Sequence, residues 1–131
     1  GAIEAATENE KVVRDFLNPL KDRGLKLDHK ILFVIDGSKG LRKGIEVVFG
    51  NAAIIQRCWW HKRGNVVAYL PKAEQDRFRK KLQKAYQQKD YRTAKKQMNA
   101  IRNELTLMNE SAVRSLDEGL EETLTLQRLG L

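Results

Sequence analysis

The sequence predicts an α/β unit of about two parallel strands with flanking helices, followed by an all-helical segment. Residues Ile31 to Ile35 form a continuous apolar run rich in β-branched side chains. It is too short for a helix and bounded by polar residues, so it reads as a strand buried on both faces. Ala53-Ile54-Ile55-Gln56 reads as the next strand, with a helical pattern between the two, an order that favours parallel pairing. After Pro71 strand signals stop and apolar residues recur every three or four positions, dividing the chain into 1–70 and 71–131.

Each element has its own signal. Thr7-x-x-Glu10 has the form of a capping box ahead of Val12, Val13, Phe16, Leu17 and Leu20, with Pro19 kinking or restarting that helix and Arg23-Gly24 ending it. Ser38 is a candidate N-cap for a helix to Phe49, with Leu41, Ile45, Val48 and Phe49 inward and Gly50 as stop. A helix from about Trp60 to Leu70 is closed by Pro71. Phe78, Leu82, Ala85 and Tyr86 mark the first helix of the second segment. Tyr91, Ala94, Met98, Ile101, Leu105 and Met108 mark the second, and Ala112, Val113, Leu116, Leu120 and Leu124 the third. The connections at Lys89-Asp90 and Asn109-Glu110 are short, so these helices should pack as antiparallel neighbours.

The charge is unevenly placed. Residues 57–102 hold 14 Lys/Arg against 3 Asp/Glu, a balance of +11, whereas residues 103–131 hold 2 against 6, a balance of −4. A concentrated basic segment is what a surface facing a polyanion requires, although a solvated basic helix face has the same composition. The single cysteine, Cys58, excludes an intramolecular disulfide and fits a reducing cytoplasm. No apolar stretch is long enough to span a bilayer, and the first residues lack the layout of a signal peptide.

Asp36 follows the buried run directly and precedes Gly37. Parallel sheets place ligands beyond the carboxyl ends of their strands, and a carboxylate there can hold Mg²⁺ or can merely cap the turn. Gly37-Ser38-Lys39-Gly40 fails the spacing of a phosphate-binding loop. Cys58-x-x-His61 is short of a zinc site, since the only other histidine is His29. That pair reads instead as a local contact at a strand-to-helix junction or as an electrostatic part of a DNA site. Arg57, Lys62 and Arg63 surround Trp59-Trp60, and with Lys39 they are the candidate phosphate contacts. One tryptophan of such a pair normally belongs to the core, so at most one is available to stack on a base.

Val34-Ile35-Asp36-Gly37-Ser38-Lys39-Gly40-Leu41, then Val48-Phe49-Gly50, then Gln56-Arg57-Cys58-Trp59-Trp60-His61-Lys62-Arg63-Gly64-Asn65-Val66, resemble the Mutator-type family of bacterial insertion-sequence transposases. Ala6-Thr7-Glu8-Asn9, Arg23-Gly24-Leu25 and the stretch from Thr123-Leu124 to Leu131 are similar to it too, so the likeness covers nearly the whole chain. The resemblance implies a partial ribonuclease-H-like core followed by an all-helical insertion. It implies a triad of two aspartates and a glutamate, with Asp36 as the second aspartate and as ligand to Mg²⁺ or Mn²⁺, two ions in the intact enzyme. Cys58 and His61 match the family's Cys/His motif. The implied partners are DNA, as element ends and target, and further copies of the protein, in the bacterial cytoplasm at the nucleoid, with no membrane.

By the same resemblance the first aspartate lies upstream of Gly1 and the glutamate beyond Leu131. Glu121 and Glu122 precede the closing motif and do not replace it. With one carboxylate of three, the chain is expected to bind Mg²⁺ poorly and to cleave no DNA alone. The alternative is a non-catalytic nucleic-acid-binding remnant or a recruited module. Pro19 and Gly64 depart from the family pattern, the latter standing where a basic residue is common.

Overall fold

The computed structural model describes residues 2–4 and 30–131. The capping box at Thr7, the helix around Pro19, its end at Gly24, and His29 all lie outside the described residues.

Among the described residues three parallel strands form one sheet in the order β1-β2-β3: β1 Ala2–Glu4, β2 Ile31–Ile35 and β3 Ala53–Arg57. The two strands read from the sequence pair directly, Ile31 opposite Ala53 and Ile35 opposite Arg57. The short β1 is an addition to that reading: it sets Ala2 opposite Leu32 and Glu4 opposite Val34. Three residues are too few to show a periodicity. As the apolar run requires, β2 is sealed on both faces, with Leu32, Phe33, Val34 and Ile35 all buried.

Helix α1, Lys39–Phe49, crosses between β2 and β3. The Ser38 hydroxyl accepts from the Leu41 amide at 3.3 Å and so starts the helix. Gly50, at φ 52°, ends it. Ile45 is buried against Phe33 and Ile35, and Leu41 and Phe49 pack beside it. Val48, expected inward, is instead 73% exposed. The reason is width: the sheet offers this helix only the side chains of alternate strand residues, and the stripe Leu41, Ile45, Phe49 already covers them.

Helix α2, Trp59–Val67, starts one residue earlier than expected and gives way to turns before Leu70. Then follow α3 Lys72–Tyr86, α4 Tyr91–Thr106 and α5 Glu110–Asp117. Asp90 caps α4 through the Thr93 amide at 2.9 Å, and Asn109 caps α5 through the Ala112 amide at 2.9 Å. One continuous core joins Val66, Val67 and Leu70 to Phe78, Leu82, Met98, Leu105, Leu116 and Leu124. Its seam positions are those given by the three-and-four spacing, except Met108, which is 38% exposed.

The expected third helix, continuing through Leu120 and Leu124, is broken. Helix α5 stops at Asp117, Glu118 turns extended, and Gly119 adopts φ 66°. A 3₁₀ turn, Glu121–Leu124, and a short helix, α6 Thr125–Arg128, follow. Leu120 and Leu124 still point inward, so their spacing mimicked a helix that a left-handed glycine interrupts. Among the described residues no helix is long and apolar enough to cross a membrane.

Candidate functional site at the carboxyl end of the sheet

The carboxyl ends of β2 and β3 are stitched together: the Cys58 amide donates to the Ile35 carbonyl at 2.7 Å. Asp36 emerges beside that junction, half-buried, with Oδ1 accepting from the Ser38 amide at 3.2 Å. Its turn depends on Gly37 at φ 114°. Alongside lies a cleft of about 600 Å³ lined by Gly37, Lys39, Arg42, Lys43, Glu46, Arg57, Glu118, Gly119, Glu121 and Glu122. A cleft of equal size opens at the opposite ends of the strands, between Lys30, Asn51 and Arg128. Volume does not separate them, but strand direction does, because ligands of parallel sheets bind beyond the carboxyl ends.

The acidic side chains of the cleft are engaged. Glu122 accepts from Arg42 at 2.7 Å, and Glu121 accepts from Lys95 at 2.6 Å and from the Tyr91 hydroxyl at 2.8 Å. Among the described residues no three His, Cys, Asp or Glu side chains converge as a metal site. Asp36 alone fits one ligand position of a hard divalent ion, which takes oxygen donors and often few from protein. A complete site would need donors beyond it.

The motif Gln56-Arg57-Cys58-x-x-His61-Lys62 joins the sheet to the returning chain. Gln56, wholly buried on β3, donates to the Thr123 carbonyl at 2.8 Å and accepts from the Leu126 amide at 3.0 Å. Arg57 is only 6% exposed and donates through Nη1 to Glu118 at 2.8 Å. Its guanidinium is threaded between Gly37 and Gly119, where a Cβ on either would collide with it. Lys62, 3% exposed, gives its ammonium protons to the Ser115 carbonyl at 2.6 Å, the Glu118 carbonyl at 2.7 Å and the Glu118 carboxylate at 2.9 Å.

Burial pulls the Lys62 ammonium below its usual range, with Glu118 opposing. The hydrogen bond from Arg57, seconded by Lys62, holds the Glu118 carboxyl down at about 2. Of the four candidate phosphate contacts, Arg57 and Lys62 are therefore interior, with every Lys62 proton committed. Lys39 and Arg63 are the two that reach the surface, Lys39 at the cleft and Arg63 over the tryptophans.

Cys58 is 3% exposed, and burial raises its thiol pKa, with the amides of His61 and Trp60 pulling the other way. A thiol kept protonated is neither a nucleophile nor a ready metal ligand. His61 is half-buried one turn along. Sequence reasoning missed Glu118, Gly119 and the Ser115 carbonyl. The available signal was Asp117-Glu118-Gly119, a glycine placed as a helix stop.

A family profile described as "Transposase, Mutator family" matches residues 1–130. A curated relative, the transposase for insertion sequence element ISRM5 of Rhizobium meliloti (strain 1021), is 33% identical over 95% of this chain and 31% of its own length. The transposase for IS6120 of Mycolicibacterium smegmatis is 30% identical over 84% of this chain and 33% of its own. The transposase for IST2 of Acidithiobacillus ferrooxidans is 27% identical, again over 84% of this chain and 36% of its own. The chain thus spans about a third of the length of the curated relatives it matches.

Proposed function

The chain belongs to the Mutator family of transposases, and on that premise we propose that it forms part of a ribonuclease-H-like DNA-processing core, with Asp36 as one metal-ligating carboxylate. The observation that carries this reading is the position of Asp36. It is a half-buried carboxylate at the carboxyl end of a central parallel strand, on a glycine turn, beside a cleft lined by both lysines and glutamates. Bound there, divalent ions supply activation of the attacking hydroxyl and stabilisation of the leaving oxygen in phosphoryl transfer.

The chain's own residues do the positioning. Gly37 lets the backbone turn so that the Asp36 side chain leaves the strand at the cleft. Arg57, wedged between Gly37 and Gly119, fixes that turn against the end of α5. Lys39 and Lys43, one helical turn apart on α1, are exposed where a DNA phosphate would approach. In this reading residues 71–131 are the helical insertion, and the remaining carboxylates come from outside the described residues.

The test is strand cleavage of an element-end oligonucleotide with Mg²⁺ or Mn²⁺ by the complete transposase that carries this segment. Asp36→Ala is expected to abolish cleavage while leaving DNA binding within about twofold, because one carboxylate adds little to phosphate contacts. Undiminished cleavage by that variant overturns the assignment. Binding without cleavage in the unaltered protein favours the non-catalytic nucleic-acid-binding module instead.

A further inference from the structure

The fold treats the two adjacent tryptophans oppositely. Trp59 turns inward and stacks on Tyr86, with ring centroids 5.7 Å apart and planes 19° apart. Trp60 points outward and remains 47% exposed. One turn along α2, Arg63 lays its guanidinium 4.2 Å from the Trp60 ring centroid. Its Nη1 donates to the Gln83 side-chain oxygen at 2.7 Å, a neutral partner that fixes the group without cancelling its charge. Burial, with the Arg79 charge nearby, lowers the Arg63 guanidinium pKa from its ordinary value. Arg79 itself is paired to Asp76 at 2.9 Å, whereas among the described residues no carboxylate is within ion-pair distance of Arg63.

Residues three and four positions on flank a helical side chain. For Trp60 these are Arg63 and Gly64. Gly64 has no side chain, and nothing lies within 4 Å of where its Cβ would stand. A mid-helix glycine costs roughly 1 kcal/mol against alanine, so here the helix gives up stability and leaves unfilled space one turn along from Trp60.

We propose that Trp60, Arg63 and the open space over Gly64 form a binding site for an unpaired nucleobase and its adjoining phosphate in single-stranded DNA. The inference rests on the DNA-processing reading above and adds the form of DNA bound at this place. An indole face accepts any base by stacking, and a guanidinium held over that ring meets the phosphate beside it. A paired base inside a duplex has its faces covered by neighbouring pairs and cannot use the site unless it is extruded. The site therefore discriminates unpaired from paired nucleotides without reading sequence.

The experiment compares the 131-residue chain and its variants on one fluorescent oligonucleotide of about 20 nucleotides, single-stranded and as duplex, at about 50 mM salt. Trp60→Ala is expected to weaken single-strand binding about tenfold and duplex binding by less than about twofold. Gly64→Leu fills the open space at a position where leucine favours the helix over glycine. It is expected to reproduce that selective loss while the melting temperature holds or rises. In a Trp59→Phe background, the remaining Trp60 emission should be quenched by the single strand and not by the duplex.

Equal losses on both substrates, or none, would remove the base site while leaving the DNA-processing reading intact. Absence of binding to either substrate would remove both. A concentration-dependent shift of Trp60 emission without DNA would mark a face for a second copy and overturn the assignment.

Discussion

The sheet end and the helical end of this molecule are built to different standards. In the helical part Phe78, Leu82, Met98, Leu105, Leu116 and Leu124 are all fully enclosed, and they belong to one core running from α2 to the 3₁₀ turn. Around α1 the matching cluster holds three buried residues, Phe33, Ile35 and Ile45, while Val47 and Val48 stand 77% and 73% exposed on the same helix. Among the described residues the helical part thus carries most of the stabilising burial, and the sheet end, which holds Asp36, is held against it. The connection passes through Gln56, Arg57 and Lys62.

Core truncation gives the largest expected contrast. Phe78→Ala should cost about 3–5 kcal/mol and unfold the whole chain, whereas Ile45→Ala, beside partly exposed neighbours, should cost about 2 kcal/mol. Urea unfolding followed by far-ultraviolet circular dichroism measures both. Equal costs would mean that the two ends are equally consolidated.

Lys62 comes next. Replacing Lys62 leaves the Ser115 and Glu118 carbonyls without their donor, while Glu118 keeps Arg57, and Lys62→Met should cost about 2 kcal/mol. It should also loosen the contact between α2 and α5, read as faster amide exchange from Ser115 to Thr123. A neutral result would show that Lys62 does not bind the two parts together.

A smaller effect follows from Glu118, whose carboxyl sits at about 2 because Arg57 and Lys62 hydrogen-bond its charged form. A depressed carboxylate stabilises the fold above its ordinary pKa of 4.5, and that contribution is lost as pH falls from there through about 2. Glu118→Gln should therefore narrow the stability difference between pH 6 and pH 3, to about the part left by carboxylates such as Glu104. Half of the Glu118 side chain is exposed, so solvent screening keeps the change modest.

Much of this architecture was legible because it follows from local pattern. The apolar run of β2, the Ser38 and Gly50 punctuation of α1, and the seam of α4 each depend on residues within a few positions of one another. What escaped depends on long-range meetings. The sequence divides into a +11 segment and a −4 segment, but the fold lays one on the other. Glu104 takes Lys81 and Arg77, Asp117 takes Arg102, Glu118 takes Arg57 and Lys62, and Glu121 takes Lys95. Linear charge counting therefore overstated the free positive surface, and it placed Arg57 and Lys62 outside when the fold holds them inside. The break at Gly119 was hidden because Leu116, Leu120 and Leu124 keep helical spacing across it. Position in the sheet made Asp36 conspicuous from the start, while the clamp behind it, built by residues more than fifty positions away, had no local signature.

The smallest expected effect sharpens the same distinction between outer and inner cations. Each phosphate contact contributes about 0.9 to the slope of log affinity against log salt. Lys39→Ala should lower that slope by about 1, and Lys62→Met should leave it unchanged. The reverse outcome would put Lys62 at the DNA and Lys39 away from it.

The most direct measurement of the role given to Asp36 is a titration of the isotope-labelled chain with Mn²⁺, read by paramagnetic broadening of backbone amide signals. The expected result is weak binding whose earliest losses are Asp36, Gly37 and Ser38, abolished by Asp36→Asn. Broadening centred on Glu118 to Glu122 and surviving that substitution would contradict it.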